Sequence, residues 1–383
     1  MGSPLLILGG GLMGLAVAHQ LARGGHRVQV LSRRRSEAAG FVAAGMLAPH
    51  AEGLQGDLLR LGQEALERIP AWVAAVEADS DLGCGLRCSG IVVPFASGVE
   101  RDAYPTAAWG RSLDRQGLER EVAGIGPRWR AGLLFAQDGQ IDNRRRLMRA
   151  LERACVARGV GFAEGAEVQE LLTGPDGALR GVRYRCAEGE MRELAAEQAV
   201  LTAGAWSAGL LRELPIFPVK GQMLSLQGPR QALQRVIFGP GTYLVPREDG
   251  LLVVGATSEP QAGFEEGLTP AGQRQLQEGI AALLPEAARW PPMERWWGFR
   301  PHTPDDGPLL GAGPVAGLWL AAGHHRNGVL LAAITAELLG AALGPAGATA
   351  EQRQLLQQFR WDRFAALSAG PSSRTPPPAP ATP

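Results

Sequence analysis

A chain of 383 residues with 45% hydrophobic and 20% charged residues can bury a large core and is long enough for two structural units. Lys+Arg and Asp+Glu both number 38, so formal net charge is +0, which excludes the broad basic field that nucleic acid or an anionic membrane attracts. The four cysteines, Cys84, Cys88, Cys155 and Cys186, complete no zinc spacing, so no metal is expected and reduced thiols in a cytoplasmic protein are their expected state.

The chain opens with the apolar run Leu5–Leu8, the turn Gly9-Gly10-Gly11-Leu12-Met13-Gly14, a helical stretch Leu12–Arg23 and a second strand over 28–31. A G-x-G-x-x-G inside a strand–turn–helix–strand unit of about 30 residues is a dinucleotide-binding fingerprint. Gly9 turns the chain off the strand, Gly11 lets backbone approach a pyrophosphate, and Gly14 lets the helix pack close to the sheet. The helix N-terminus then offers free N–H groups to the phosphates. The acid expected at the end of the second strand, for a ribose hydroxyl, is replaced by Ser32, followed by Arg33-Arg34-Arg35. That pattern leaves NADP open beside FAD and NAD.

A small-residue run over 38–52 suits backbone pressed against a flat ligand. Helical spacing follows over 58–78, then a strand over 90–95 and a mixed, partly helical stretch over 110–132. Asp142-Asn143 predicts a cap for a helix over 144–158, with Leu147, Leu151 and Val156 inward. Strands are predicted over 161–163 and 167–172, then a meander over 179–186 and 192–194, and an apolar strand over 198–203. Residues 219–226, 241–246 and 251–256 alternate like sheet strands, with Glu248-Asp249-Gly250 as a turn. Helices are predicted over 270–284, 328–343 and 352–364, and a strand over 318–321. The apolar stretches 4–22 and 318–343 are broken by glycines and by His324-His325-Arg326-Asn327, so no membrane insertion is expected. From Ala369 the Pro-rich tail, 369–383, is expected to be disordered.

This order predicts an α/β (α+β) fold in which a Rossmann-like nucleotide domain is interleaved with a mostly antiparallel sheet domain. The first takes residues 1–55, 140–215 and 295–365; the second takes 56–139 and 216–294.

Further segments join the glycine loop in order. They are Ala43-Ala44-Gly45-Met46-Leu47-Ala48-Pro49, Lys220-Gly221-Gln222, Tyr243-Leu244-Val245-Pro246, Val253-Val254-Gly255-Ala256-Thr257, Trp297-Gly298-Phe299-Arg300-Pro301-His302-Thr303-Pro304-Asp305 and Ala322-Gly323-His324-His325-Arg326-Asn327-Gly328-Val329-Leu330. Over residues 4 to 343 the chain resembles the FAD-dependent amino acid oxidases of the D-amino-acid oxidase family, and within them the glycine oxidases of thiazole biosynthesis.

The resemblance implies non-covalent FAD. Gly9, Gly11, Leu12, Met13 and Gly14 would hold its pyrophosphate; Ser32, Arg33 and Val168 would face the adenosine. Ala44, Gly45 and Met46 would lie along the flavin, and His324, His325, Arg326, Asn327, Gly328, Val329 and Leu330 would wrap its pyrimidine edge. A substrate carboxylate calls for a planar two-pronged donor, which points to Arg300, then Arg326, with the Tyr243 hydroxyl beside them. No acid–base residue is required if the amine enters neutral, so no catalytic residue is assigned; His302, His324 and His325 are taken as packing or hydrogen-bonding residues.

The implied activity is oxidation of glycine and other small amines, such as sarcosine and small D-amino acids, by hydride transfer, with oxygen as acceptor and hydrogen peroxide as product. A role in the thiazole branch of thiamine biosynthesis and a homo-oligomer, possibly a tetramer, go with it. The alternatives are a D-amino acid dehydrogenase using a quinone or carrier, an NADP-dependent reductase and a non-catalytic nucleotide-binding protein.

Overall fold

The computed structural model describes residues 3–364; the predicted tail lies outside them. A six-stranded sheet forms around the first strand, in the spatial order Leu309–Ala312, Leu318–Ala322, Ala199–Leu201, Leu5–Leu8, Val28–Ser32, Gly161–Glu164. All neighbours are parallel except the first pair. Its central strands read as unbroken apolar runs because both faces are covered. On one face lie the helices Leu12–Arg23, Gly56–Ser80, Met148–Ala157 and Gly328–Leu343. On the other lies a three-stranded meander of Glu167–Thr173, Leu179–Arg185 and Met191–Ala195. Helix Gly328–Leu343 is apolar nearly all round because it is wedged between Leu12–Arg23 and Gly56–Ser80.

The second large sheet has eight strands, in the order Pro292–His302, Phe217–Gln227, Leu251–Gly255, Thr242–Pro246, Val236–Gly239, Ile91–Phe95, Ala131–Phe135, Arg111–Leu113. Only the pair Val236–Gly239 and Ile91–Phe95 is parallel. Helix Pro270–Leu283 covers one face with Leu276, Ile280 and Leu283.

Several features depart from the sequence expectation. Residues 295–302, assigned to the nucleotide domain, are part of strand Pro292–His302 at the edge of the eight-stranded sheet, because they pair with Phe217–Gln227. Helix Gly56–Ser80, assigned to the inserted layer, packs with the parallel sheet, because Leu61, Ala65, Ile69, Val73 and Val76 form a buried stripe against the helices there. Asp142 does not cap the following helix; a π-helical turn, Asn143–Leu147, intervenes, and its carboxylate binds Arg145 instead. Val156 points outward, 60% exposed, because the helix starts later and its inner face falls on Leu151, Ala154 and Cys155.

Candidate active site

A cavity of about 780 Å³ runs from the glycine turn to the eight-stranded sheet. The C-terminal ends of the parallel strands open into it through Leu8, Leu31, Ser32, Leu201, Thr202, Ala321 and Ala322. That is where ligands bind in open α/β sheets.

The glycine turn has three different constraints. Gly9 has φ +123°, and a Cβ there would sit 2.7 Å from the Thr202 carbonyl oxygen. A Cβ on Gly14 would drive into the Gly9 carbonyl oxygen. A Cβ on Gly11 would meet only the Ala38 methyl, at 3.2 Å, so its exposed face belongs to the cavity. Gly11 caps helix Leu12–Arg23 without a side-chain bond, and no acid occupies the first turn. The open N–H groups and the helix dipole face the cavity and suit an anion.

Beside Ser32 the three arginines are neutralised. Arg33 pairs with Glu37 and Glu167, Arg34 with Glu37, and Arg35 with Glu152 and Glu164. A 2′-phosphate would have to displace these carboxylates, which removes the reason for the NADP reading. Arg33 also lies over the Trp206 ring, 5.1 Å from its centroid, and Val168 lines the same end.

Along the middle, Ala43, Ala44, Gly45 and Met46 form a narrow wall. Gly45 has φ +85° and its missing side chain faces the Ile141 carbonyl, so the chain passes with no room for a Cβ. Buried Arg247 donates to the Ala44 carbonyl oxygen and to Gln140 Oε1, fixing this wall. Opposite is a second helix N-terminus: Gly328 and Val329 line the cavity, and Asn327 caps helix Gly328–Leu343 without a side-chain bond. His324 is buried with Nε2 3.0 Å from Thr335 Oγ1, and burial pushes its pKa down to about 3, so it stays neutral. Asn327 and Leu330 stand behind the wall; Leu330 belongs to the helix core.

The far end is formed by Arg300, Tyr243, Arg326 and Glu52. Arg300 pairs across the sheet with Val219, and its guanidinium lies over Gly221, where a Cβ would be 2.7 Å from Cζ. Its Nη1 donates to the Thr257 carbonyl oxygen at 3.1 Å. Among the described residues no carboxylate pairs with it. Burial raises the Tyr243 pKa, against the pull of Arg300 beside it. Arg326 is different: its Nε lies 2.7 Å from Glu52 Oε2, so its charge is already matched. Burial raises the Glu52 pKa, opposed first by Arg326 and then by Arg300.

Sequence reasoning missed Glu52. The available signal was that it is the first acid after the apolar run 38–51. Its position is fixed by its neighbours: the Ala51 N–H donates to Asp138 Oδ2, Tyr104 Oη donates to the Ala51 carbonyl, and Thr106 Oγ1 donates to the His50 carbonyl.

A cavity with two free helix N-termini, one close-approach glycine and a wall of small residues fits a long anionic cofactor with a flat ring. Comparison with protein families matches residues 5–342 to the family described as FAD dependent oxidoreductase. The chain is 41% identical over 345 residues to the Bifunctional protein ThiO/ThiG of Synechocystis sp., covering 88% of this chain and 51% of that protein. It is 30% identical to the Glycine oxidase of Pseudomonas aeruginosa, covering 88% of this chain and 94% of the relative. The crystal structure of glycine oxidase from Geobacillus kaustophilus superposes with a TM-score of 0.82 at 29% identity, over 90% of this chain and 95% of that one. The chain thus spans about half the length of the ThiO/ThiG relatives, 51% in the Synechocystis protein.

Proposed function

The chain belongs to the FAD dependent oxidoreductase family, and on that premise we propose that it oxidises glycine and other small amines to the imine, which water hydrolyses to the 2-oxo acid and the free amine, ammonia from glycine and methylamine from sarcosine. FAD, when bound, would supply the two-electron acceptor for hydride from the substrate α-carbon, with oxygen as the final acceptor giving hydrogen peroxide.

The N–H groups of Leu12 and Met13 would hold the pyrophosphate, with Gly9 and Gly11 giving it room, while Gly14 lies outside the cavity and lets the helix pack against the Gly9 carbonyl. Ser32, Arg33 and Val168 flank the adenosine. Ala44, Gly45 and Met46 support the flavin, and the turn from His324 to Val329 borders its pyrimidine edge. There the N-terminus of helix Gly328–Leu343 favours negative charge. Neutral His324 adds no competing charge.

Arg300 receives the substrate carboxylate, with the Tyr243 hydroxyl as a second donor. Glu52 and Arg326 cancel, so the pocket carries one uncompensated positive charge for one carboxylate. A substrate anchored this way would be aligned by these residues, which contribute positioning rather than proton transfer. The carrying observation is Arg300, sheltered in the cavity with a backbone carbonyl as its hydrogen-bond partner.

We assign the product to the thiazole branch of thiamine biosynthesis, on the likeness to ThiO/ThiG relatives. A homo-oligomer in the cytoplasm accompanies that assignment. No described helix is long and apolar enough to cross a membrane. The test is an anaerobic titration of the yellow protein with glycine, sarcosine and D-alanine. Bleaching of the flavin, followed in air by one peroxide per glyoxylate, is expected. Unbleached flavin refutes amine oxidation, and bleaching without peroxide refutes oxygen as acceptor.

A further inference from the structure

Strand Pro292–His302 ends beside a turn that folds Asp306 back onto His302, and the loop ahead of helix Gly328–Leu343 brings His325 to the same point. His302 Nε2 lies 3.0 Å, and His325 Nδ1 2.7 Å, from the one oxygen Asp306 Oδ1. The two rings stand edge to face, centroids 4.4 Å apart at 87°. All three donor atoms fall within 4.8 Å of one another. Asp306 Oδ1 and His325 Nδ1 are buried, and the two rings meet that oxygen at ion-pair distance with poor hydrogen-bond alignment. Such an arrangement gathers lone pairs on a common point.

The backbone holds it there. Asp306 has φ 61° and His325 φ 44°, two of the four non-glycine residues in the left-handed region among the described residues. The His325 N–H donates to the Pro301 carbonyl at 2.8 Å, and the Asp306 N–H to the Thr303 carbonyl at 3.1 Å. Side-chain exposures of 23% for His302, 44% for Asp306 and 12% for His325 leave an entry path and room for a water ligand.

We propose that His302, Asp306 and His325 form a divalent transition-metal site. Two imidazole nitrogens and one carboxylate oxygen suit Zn²⁺, Co²⁺ or Ni²⁺; Mg²⁺ and Ca²⁺ prefer all-oxygen sets. Bonds of about 2.0–2.2 Å around a tetrahedron separate ligand atoms by roughly 3.3 Å, so the contacts to Asp306 open by less than about 1 Å on loading. The ion ties the strand end that carries Arg300 to the loop that carries Arg326. His302 and Asp306 are four residues apart, but His325 joins them only in the fold, so the expectation of no metal, drawn from cysteine spacing, did not address this place.

The test uses the flavin-loaded protein, stripped with a chelator and titrated with Co²⁺, whose ligand-field bands lie to the red of flavin absorbance. One saturable equivalent per chain is expected, displaced by Zn²⁺ and untouched by Mg²⁺. His302→Gln and Asp306→Asn should each weaken it at least about tenfold while the flavin colour is kept. If one variant loses its flavin, the other decides. X-ray absorption of the Zn²⁺ form should show imidazole scattering. No saturable equivalent, unchanged affinity in a folded variant, or an absence of imidazole scattering overturns the site.

Discussion

Arg326 Nε stands 2.7 Å from Oε2 of Glu52, whose side chain is only 6% exposed. The pair links the loop before helix Gly328–Leu343 to the end of the small-residue run, at the end of the cavity where Arg300 and Tyr243 also lie. Its consequence is electrostatic: a pocket with two guanidinium groups presents the charge of one.

Glu52→Gln keeps the shape and leaves Arg326 as a second free cation. Acetate, a carboxylate without an amine, should bind on the order of fivefold tighter, from a charge gained at an effective dielectric typical of partly buried sites. Burial raises the Glu52 pKa, so in acid the normal protein carries the protonated carboxyl too and the difference should shrink as pH falls. Flavin difference spectra measure it; equal or weaker acetate binding at high pH rules out the compensating pair.

Arg300→Ala should lower kcat/KM for glycine by about 10² or more with flavin content unchanged, as expected when one partner of a sheltered charge pair is removed. Arg300→Lys should recover part of the loss, because a point charge replaces a two-pronged donor. Steady-state kinetics against holoprotein concentration check this; unchanged kcat/KM in the alanine variant would falsify the anchor.

Gly221→Ala places a methyl 2.7 Å from Arg300 Cζ. The guanidinium is the end of a flexible side chain, so it should swing aside at small cost to the fold. KM for glycine should rise about tenfold, with Tm changed little. A large fall in Tm with KM retained would mean that Gly221 serves backbone packing instead.

Gly11 and Gly14 should separate binding from folding. At Gly11 a Cβ meets only the Ala38 methyl, and the added methyls of Gly11→Val should fill cofactor space, so the protein should fold without colour. Gly14→Val drives into the Gly9 carbonyl and should cost several kcal/mol by overpacking, about 1–3 or more. Circular dichroism with visible absorbance distinguishes the two; a yellow Gly11→Val variant contradicts the close approach.

His324 sets part of the acid limb of stability. Its folded pKa of about 3 lies below the ordinary 6.5, so the unfolded chain binds the proton first as pH falls. Its contribution is complete above 6.5 and is lost as pH drops from 6.5 towards 3. His324→Asn should flatten the fall of Tm over that window in thermal melts; an unaltered slope argues that another group carries it.

Local features were legible in the sequence. Strand Leu5–Leu8, helix Leu12–Arg23 and the turn between them lie within one short stretch, and each glycine there answers to a neighbour a few residues away or across one strand. The antiparallel strands were legible where turns punctuate them, as at Glu248-Asp249-Gly250, but Pro292–His302, Val236–Gly239 and Ala131–Phe135 were not. Their registers depend on partners far along the chain. Helix Gly56–Ser80 showed its apolar spacing and not its destination, since a buried stripe does not specify which surface covers it.

What the residues alone determined is the glycine turn and the family, with Arg300 offered as the candidate anchor, because a glycine fingerprint and a two-pronged cation are properties of short segments. Which arginine is free and which is matched was decided by the fold, for Glu52 meets Arg326 only when two distant loops close on one cavity. The meeting of His302, Asp306 and His325 was decided in the same way. Charge compensation and ligand convergence depend on separations in space, and those are set by packing rather than by order along the chain.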